Sequence, residues 1–258
     1  MSRMPVLFIG HGSPMNALED NVYTAVWKRL PEKIQKPKAI LCVSAHWYTQ
    51  GTRTQDALHP RNIYDMYGFP PHLYQVKYPA VGAPDLAHQL AQMLPRQVDI
   101  DNEWGLDHGT WSVLCHMYPK ADIPVLQLSV DLSAPASIHY ALGHALAPLR
   151  EEGVLVMGSG NVVHNLALLN WNEKGGFSWA LEFDAYIRDH MMYGNHDDVV
   201  HYEKAGESAR QAFYTPDHFY PLLYVLGASE PNEKAQVFNE SCLMGSLSMT
   251  SYLIGDTI

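Results

Sequence analysis

The sequence predicts an α/β fold: a mainly parallel central sheet with helices on both faces, in a single domain spanning residues 1–258 with a Tyr/Pro-rich insertion. Three observations carry this. Five short runs, residues 6–9, 39–44, 124–130, 154–157 and 246–254, are rich in β-branched residues and Leu and mostly continuous rather than alternating. Continuous apolar runs of strand length belong to strands covered on both faces. Helical patterns separate them, and strand–helix alternation builds parallel sheets. Finally, 47% of the 258 residues are hydrophobic, enough for a core with helices on both sides.

Taken in order, the strand at 6–9 is Val-Leu-Phe-Ile and runs into Gly10-His11-Gly12-Ser13-Pro14. The strand at 39–44 ends in Ser44-Ala45-His46-Trp47. Residues 48–82 follow with His59, Pro60, Tyr64, Tyr67, Pro70, Pro71, His72, Tyr74, Tyr78 and Pro79, and no clean periodicity. Such an insertion reads as a lid or pocket wall, or as a surface excursion packed by its own aromatics. The helix at 85–94 places Leu86, Leu90 and Leu94 on one face after Pro84, a good first-turn residue. The helix at 136–149 does the same with Ile138, Leu142, Leu146 and Leu149. The strand at 154–157 is expected to end in a turn, Gly158-Ser159-Gly160-Asn161, ahead of His164. A helix at 177–192 and a shorter one at 217–226, with Thr215 or Asp217 as its cap, precede the last strand.

Net charge is −10, which argues against a nucleic-acid partner. The one basic cluster, Lys28, Arg29, Lys33, Lys36 and Lys38, reads as a solvated face. Three widely spaced cysteines contain no C-x-x-C, so neither a disulfide framework nor a thiolate zinc site is expected. No apolar run approaches the ~20 residues of a membrane span, and the run at 6–9 is too short for a signal peptide. A cytoplasmic protein is expected. Oligomeric state has no signal in the sequence.

His11, His46 and His164 each stand just past a predicted strand. In open α/β sheets the ligand crevice lies at the carboxyl ends of the strands, and imidazole is both the commonest metal ligand and a base near neutral pH. Their repetition there suggests a metal-centred site. His218 opens the helix at 217–226; His108 is a loop histidine before another helix, with Thr110 as its cap and Asp107 placed to orient a neighbouring imidazole. His88, His116, His139, His144, His190, His196 and His201 read as ordinary surface or core residues, and His59 and His72 are left open. No G-x-S-x-G, P-loop or H-E-x-x-H is present, and Gly158-Ser159-Gly160 has neither the context of a nucleophile elbow nor the third glycine of a dinucleotide loop.

Five motifs occur in order: Gly10-His11-Gly12-Ser13-Pro14-Met15, Ser44-Ala45-His46-Trp47, Trp104-Gly105-Leu106-Asp107-His108-Gly109, Gly158-Ser159-Gly160-Asn161-Val162-Val163-His164-Asn165 and Met244-Gly245-Ser246-Leu247-Ser248-Met249. Together they resemble the 4,5-DOPA extradiol dioxygenase family of LigB-type class III ring-cleavage dioxygenases. The resemblance implies a LigB-like catalytic domain with a mononuclear non-haem iron(II) centre that opens a catechol with O2 to a muconic semialdehyde. It implies His11 and His46 as metal ligands, with His164 and His218 at the metal. It implies His164 as general base, and His108 is the candidate hydrogen-bond or proton donor. Two-subunit relatives use a glutamate as third ligand; Glu207 and Glu240 are the nearest late carboxylates here. An all-imidazole set departs from the facial triad and suits Zn(II) as well as Fe(II). The alternatives are a zinc-dependent hydrolase on the same histidines and a non-catalytic binding protein on the same fold.

Overall fold

The computed structural model describes residues 3–257. Its centre is an eight-stranded sheet of β1 (Val6–Gly10), β2 (Ala39–Thr49), β3 (Thr52–Thr54), β4 (Val98–Ile100), β5 (Val125–Asp131), β6 (Val154–Gly160), β7 (Ala235–Phe238) and β8 (Ser251–Ile254). The order is β4-β3-β5-β2-β6-β1-β8-β7. The four central strands, β5, β2, β6 and β1, are mutually parallel. Antiparallel pairings of β3 with β5 and of β8 with β1 and β7 join the flanking strands. The α/β expectation therefore holds, with antiparallel joints added outside a parallel centre.

Side chains alternate across the sheet, so each central strand feeds two cores. Val6, Phe8, Leu41, Val43 and Val156 pack with α2 (Pro84–Met93), α4 (Ala136–Leu146), α5 (Ser178–Tyr193) and α8 (Tyr220–Ala228). Leu7, Ile9, Ile40, Cys42, Leu155 and Met157 pack on the other face with α1 (Val22–Arg29) and α3 (His108–Met117). This two-sided burial is why the strands read as unbroken apolar runs. Two short helices, α6 (His196–Val200) and α7 (Glu207–Ala212), complete the α5 side. Among the described residues no helix is long and apolar enough to cross a membrane.

Several boundaries move. The run expected to turn at Gly158 stays in β6 through Gly160, where Gly10 of β1 and Ser44 of β2 pair with Gly160 and Ser159. The run at 39–44 extends to Thr49, because β2 resumes pairing with β5 at Tyr48 after a register shift that begins beyond Val43. The last run splits, since residues 247–248 pair locally with Cys242 and Leu243 and only Ser251–Ile254 joins the main sheet. The helix expected from Asp217 begins at Tyr220, with neither Thr215 nor Asp217 as its cap. The helix after Trp104 begins at His108 itself, and its cap is Asp107, whose side chain accepts from Thr110 N.

Gly160 explains how the carboxyl edge is closed. A Cβ there would lie 2.0 Å from His218 O, and Asn161 N donates to that same carbonyl at 2.9 Å. Only glycine lets the 216–219 turn lie directly on β6. Gly160→Ala is expected to cost at least ~1–3 kcal/mol by overpacking against backbone. Gly175→Ala, whose nearest neighbour would be 3.9 Å away, should stay within about 0.5 kcal/mol of the parent. Thermal melts of the two variants check the contrast.

Candidate metal centre

His11 is one residue past β1 and buried. Its Nδ1 meets Ser159 Oγ at 2.9 Å, and Ser159 Oγ donates to Gly109 O at 2.6 Å. The hydroxyl proton is thereby committed, so Ser159 accepts from His11 Nδ1–H. The lone pair of His11 is then on Nε2.

His46 sits within β2, not beyond it. Residues 44–47 fall in the register shift against β5, and such an irregularity re-aims a side chain. His46 Nδ1 lies 2.9 Å from Asp65 Oδ2, which again leaves the lone pair on Nε2. His46 Nε2 and His11 Nε2 are 3.0 Å apart. Two lone pairs at that distance repel unless they share a cation or an added proton. Two metal–nitrogen bonds of about 2.1 Å meeting near a right angle span about 3 Å.

His218 comes in from the turn that Gly160 admits. Its Nδ1 bonds the Asp217 carboxylate, while its Nε2 is buried without a hydrogen-bond partner. The ligand atoms of His11, His46 and His218 all lie within 4.8 Å of one another. An orphaned buried nitrogen beside two facing lone pairs is a donor set that fits one divalent ion. His164 follows β6 on a loop held by His164 N to Ala212 O at 2.8 Å and Ser248 N to Val163 O at 2.9 Å. Its ring stacks on His218 with centroids 3.4 Å apart.

These histidines occupy the carboxyl edge of a fold seen elsewhere. Residues 5–254 match the family described as the catalytic LigB subunit of aromatic ring-opening dioxygenase. The chain belongs to the LigB family. A 4,5-DOPA dioxygenase extradiol of Escherichia coli (strain K12) is 46% identical over 98% of this chain and 96% of its own. Another, from Beta vulgaris, is 40% identical over 97% and 96%. A crystal structure of an uncharacterized protein from Escherichia coli K12 superposes with a TM-score of 0.86 at 44% identity, covering 98% of this chain and 100% of that one.

In this LigB-family chain the sequence-selected histidines converge: His11, His46, His108 and His218 have neighbouring rings, and His164 stacks on His218. His164 does not share the group formed by His11, His46 and His218; it groups instead with Asp217 and His218. The late glutamates do not reach the site, since Glu207 pairs with Arg210 and Glu240 with Arg188 on the surface. Asp107 orients no imidazole. It takes the Ser44 hydroxyl, Trp104 Nε1 and Gln127 Nε2 beneath the site, and burial raises it to about 6.

The carboxylate that orients His46 and His108 is Asp65, which sequence reasoning missed. Its Oδ2 accepts from His46 Nδ1 and His108 Nδ1, each at 2.9 Å, and its Oδ1 from His108 N at 3.1 Å. It lies in the irregular insertion, where no periodicity marks a position. The insertion is tied to α3 by Trp111 Nε1 to Ile63 O at 3.0 Å and by Tyr64 packed on Trp111. The available signal was the density of Tyr and Pro around it, a sign of a built loop.

Burial, then the neighbouring imidazoles, holds His11 and His218 well below the ordinary histidine range. Burial likewise lowers His164 to about 4, despite opposition from Asp217. These rings are therefore neutral at pH 7, and His164 is less basic than the free imidazole expected of a base near neutral pH. Burial would raise Asp65, but the hydrogen bonds from His108 and His46 prevail and hold it below the usual carboxylate range.

The sign of the pH effect follows. These imidazoles are harder to protonate folded than unfolded, so the unfolded state binds protons first as pH falls. For His164 the stabilisation is complete above the unfolded value near 6.5 and is lost between there and about 4, and His11 and His218 act in the same direction. The melting temperature of the metal-free protein is expected to fall across that window. His164→Asn should make the slope shallower by up to about 1.4 kcal/mol per pH unit. Melts from pH 7.5 to 4 measure both; a slope unchanged by the substitution would contradict the assignment.

Proposed function

We propose that this chain is an extradiol dioxygenase that opens a catechol, such as 4,5-DOPA, with O2 to give a muconic semialdehyde. His11, His46 and His218 hold one iron(II). The observation that carries the reading is the convergence of three Nε2 atoms whose partner nitrogens are already committed to Ser159, Asp65 and Asp217. The 4,5-DOPA dioxygenase extradiol relatives favour the same chemistry. Bound iron supplies Lewis acidity toward the catechol hydroxyls and the redox capacity that zinc lacks. That requirement selects iron over zinc, since three imidazoles alone suit both.

The protein's own groups divide the remaining work. His164, neutral and beside His218, accepts a proton from a catechol hydroxyl. Its low basicity keeps it unprotonated until substrate arrives. His108 has its Nδ1 fixed on Asp65, so Nε2 is the nitrogen left for the reacting oxygens, as hydrogen-bond partner or proton carrier. The carbon–carbon bond beside the diol breaks and both oxygen atoms enter the product. We also place the chain in the cytoplasm, a reading supported by three free cysteines.

The test is anaerobic loading with iron(II), then oxygen, with a small catechol panel and product analysis. A ring-opened semialdehyde is expected with iron and not with zinc. Turnover of any panel member by the zinc form, or none by the iron form, would overturn the proposal. His164→Asn is expected to lower kcat by about 10²–10⁴-fold, with KM changed far less.

A further inference from the structure

A divalent ion held by three neutral imidazoles keeps its full charge in a site whose ligands are largely buried. No ligand carboxylate offsets it: His11, His46 and His218 form the group, and the side chains of Glu207 and Glu240 are 74% and 42% exposed and paired with arginines. Two carboxylates nonetheless stand one imidazole away. Asp65 receives the Nδ1 of His46, and Asp217 receives the Nδ1 of His218. The third ring, His11, leans on the neutral Ser159 hydroxyl.

We infer that Asp65 and Asp217 together replace the missing ligand carboxylate, each delivering its negative charge through the far nitrogen of a ligand histidine. The inference rests on the proposed three-histidine site. Asp65 cannot turn inward as a ligand, since its two oxygens are taken by His46 Nδ1, His108 Nδ1 and His108 N. Asp217 is held on the Nδ1 side of His218, and its other oxygen takes the Thr215 hydroxyl. A carboxylate on the Nδ1–H of a ligand imidazole makes its Nε2 a stronger donor. Two of them carry the charge that balances a divalent ion without occupying a coordination position. The positions left open are those that a bidentate catechol and O2 require. Asp65 and Asp217 are thus positioning and charge-setting residues rather than catalytic ones. They reach the site from unrelated segments, the insertion and the turn before α8.

Four variants test this: Asp65→Asn, Asp217→Asn, the double substitution, and Ser159→Ala, which removes a neutral acceptor. Zinc affinity is read by competition with a chromogenic chelator, and the iron midpoint potential by anaerobic redox titration. Each Asn variant is expected to bind zinc about 10–100-fold more weakly, and the double variant by roughly the product, because the carboxylates act on different ligands. The midpoint potential should move positive in each Asn variant and return toward the parent value in Asp217→Glu. Ser159→Ala should weaken zinc binding with little effect on the potential, so charge is distinguished from mere orientation. If Asp65→Asn fails to fold, Asp217→Asn carries the test alone. Parental zinc affinity in the Asn variants, or an equal potential shift in Ser159→Ala, would overturn the inference. A parent protein that binds neither zinc nor iron(II) would instead overturn the proposed function.

Discussion

The site depends on one constraint: every ring that turns its Nε2 inward must have an acceptor for its Nδ1–H. An imidazole whose Nδ1 is unpartnered can adopt either tautomer, and half of those states present an N–H where a lone pair is needed. Ser159, Asp65 and Asp217 remove that freedom for His11, His46 and His218, and Asp65 removes it for His108 as well. The acceptors come from four separated stretches of chain if Gly109, which fixes the Ser159 hydroxyl, is counted. The fold brings them together, and much of its local irregularity sits where they meet.

That irregularity is concentrated at the carboxyl edge of the sheet. The register shift in β2 swings His46 out of a ladder that would otherwise keep alternating between the two cores. Gly160 lets the 216–219 turn lie against β6 and bring in His218. The insertion packs Tyr64 on Trp111 and thereby places Asp65 under α3, whose first residue is His108. Each device departs from regular strand or helix geometry, as active-site edges do when rigid elements supply the scaffold and short irregular segments supply aim.

What was legible in the sequence follows from that division. Val6-Leu7-Phe8-Ile9 and the other central runs declare themselves because both faces of each strand are buried. Three of the flanking strands do not. Thr52–Thr54 and Val98–Ile100 are three residues each, too short for periodicity to register, and Ala235–Phe238 is only partly buried. The site histidines were legible because His11, His46 and His164 come just after recognisable apolar runs, even though His46 itself lies within β2; His218 was found by motif rather than spacing. Asp65 was not legible, since its role is set by a long-range contact from a segment without pattern. Asp107 was misjudged for the converse reason. Its position before His108 invited an orienting role, but as the cap of α3 its carboxylate points down to Ser44 and Gln127.

Two acids beside His46 and His108, Asp107 fully and Asp65 partly buried, show how burial and partners select a protonation state. Asp107 is fully buried and is raised to about 6, first by burial and then by the charge of Asp65. Asp65 is partly buried, and the imidazole N–H donors of His108 and His46 keep it ionised. Asp107 also accepts N–H bonds, from Trp104, Gln127 and Thr110, so its fuller burial and the neighbouring charge of Asp65 are what disfavour its ionised form. The arrangement is directional: negative charge is retained on the imidazole side, where a cation would sit, and weakened toward the core, where Ser44, Thr110 and Gln127 offer only neutral dipoles. A charge placed this way strengthens two histidines at once through a single oxygen atom. An insertion that reads in sequence as an excursion is thereby part of the site's electrostatic design.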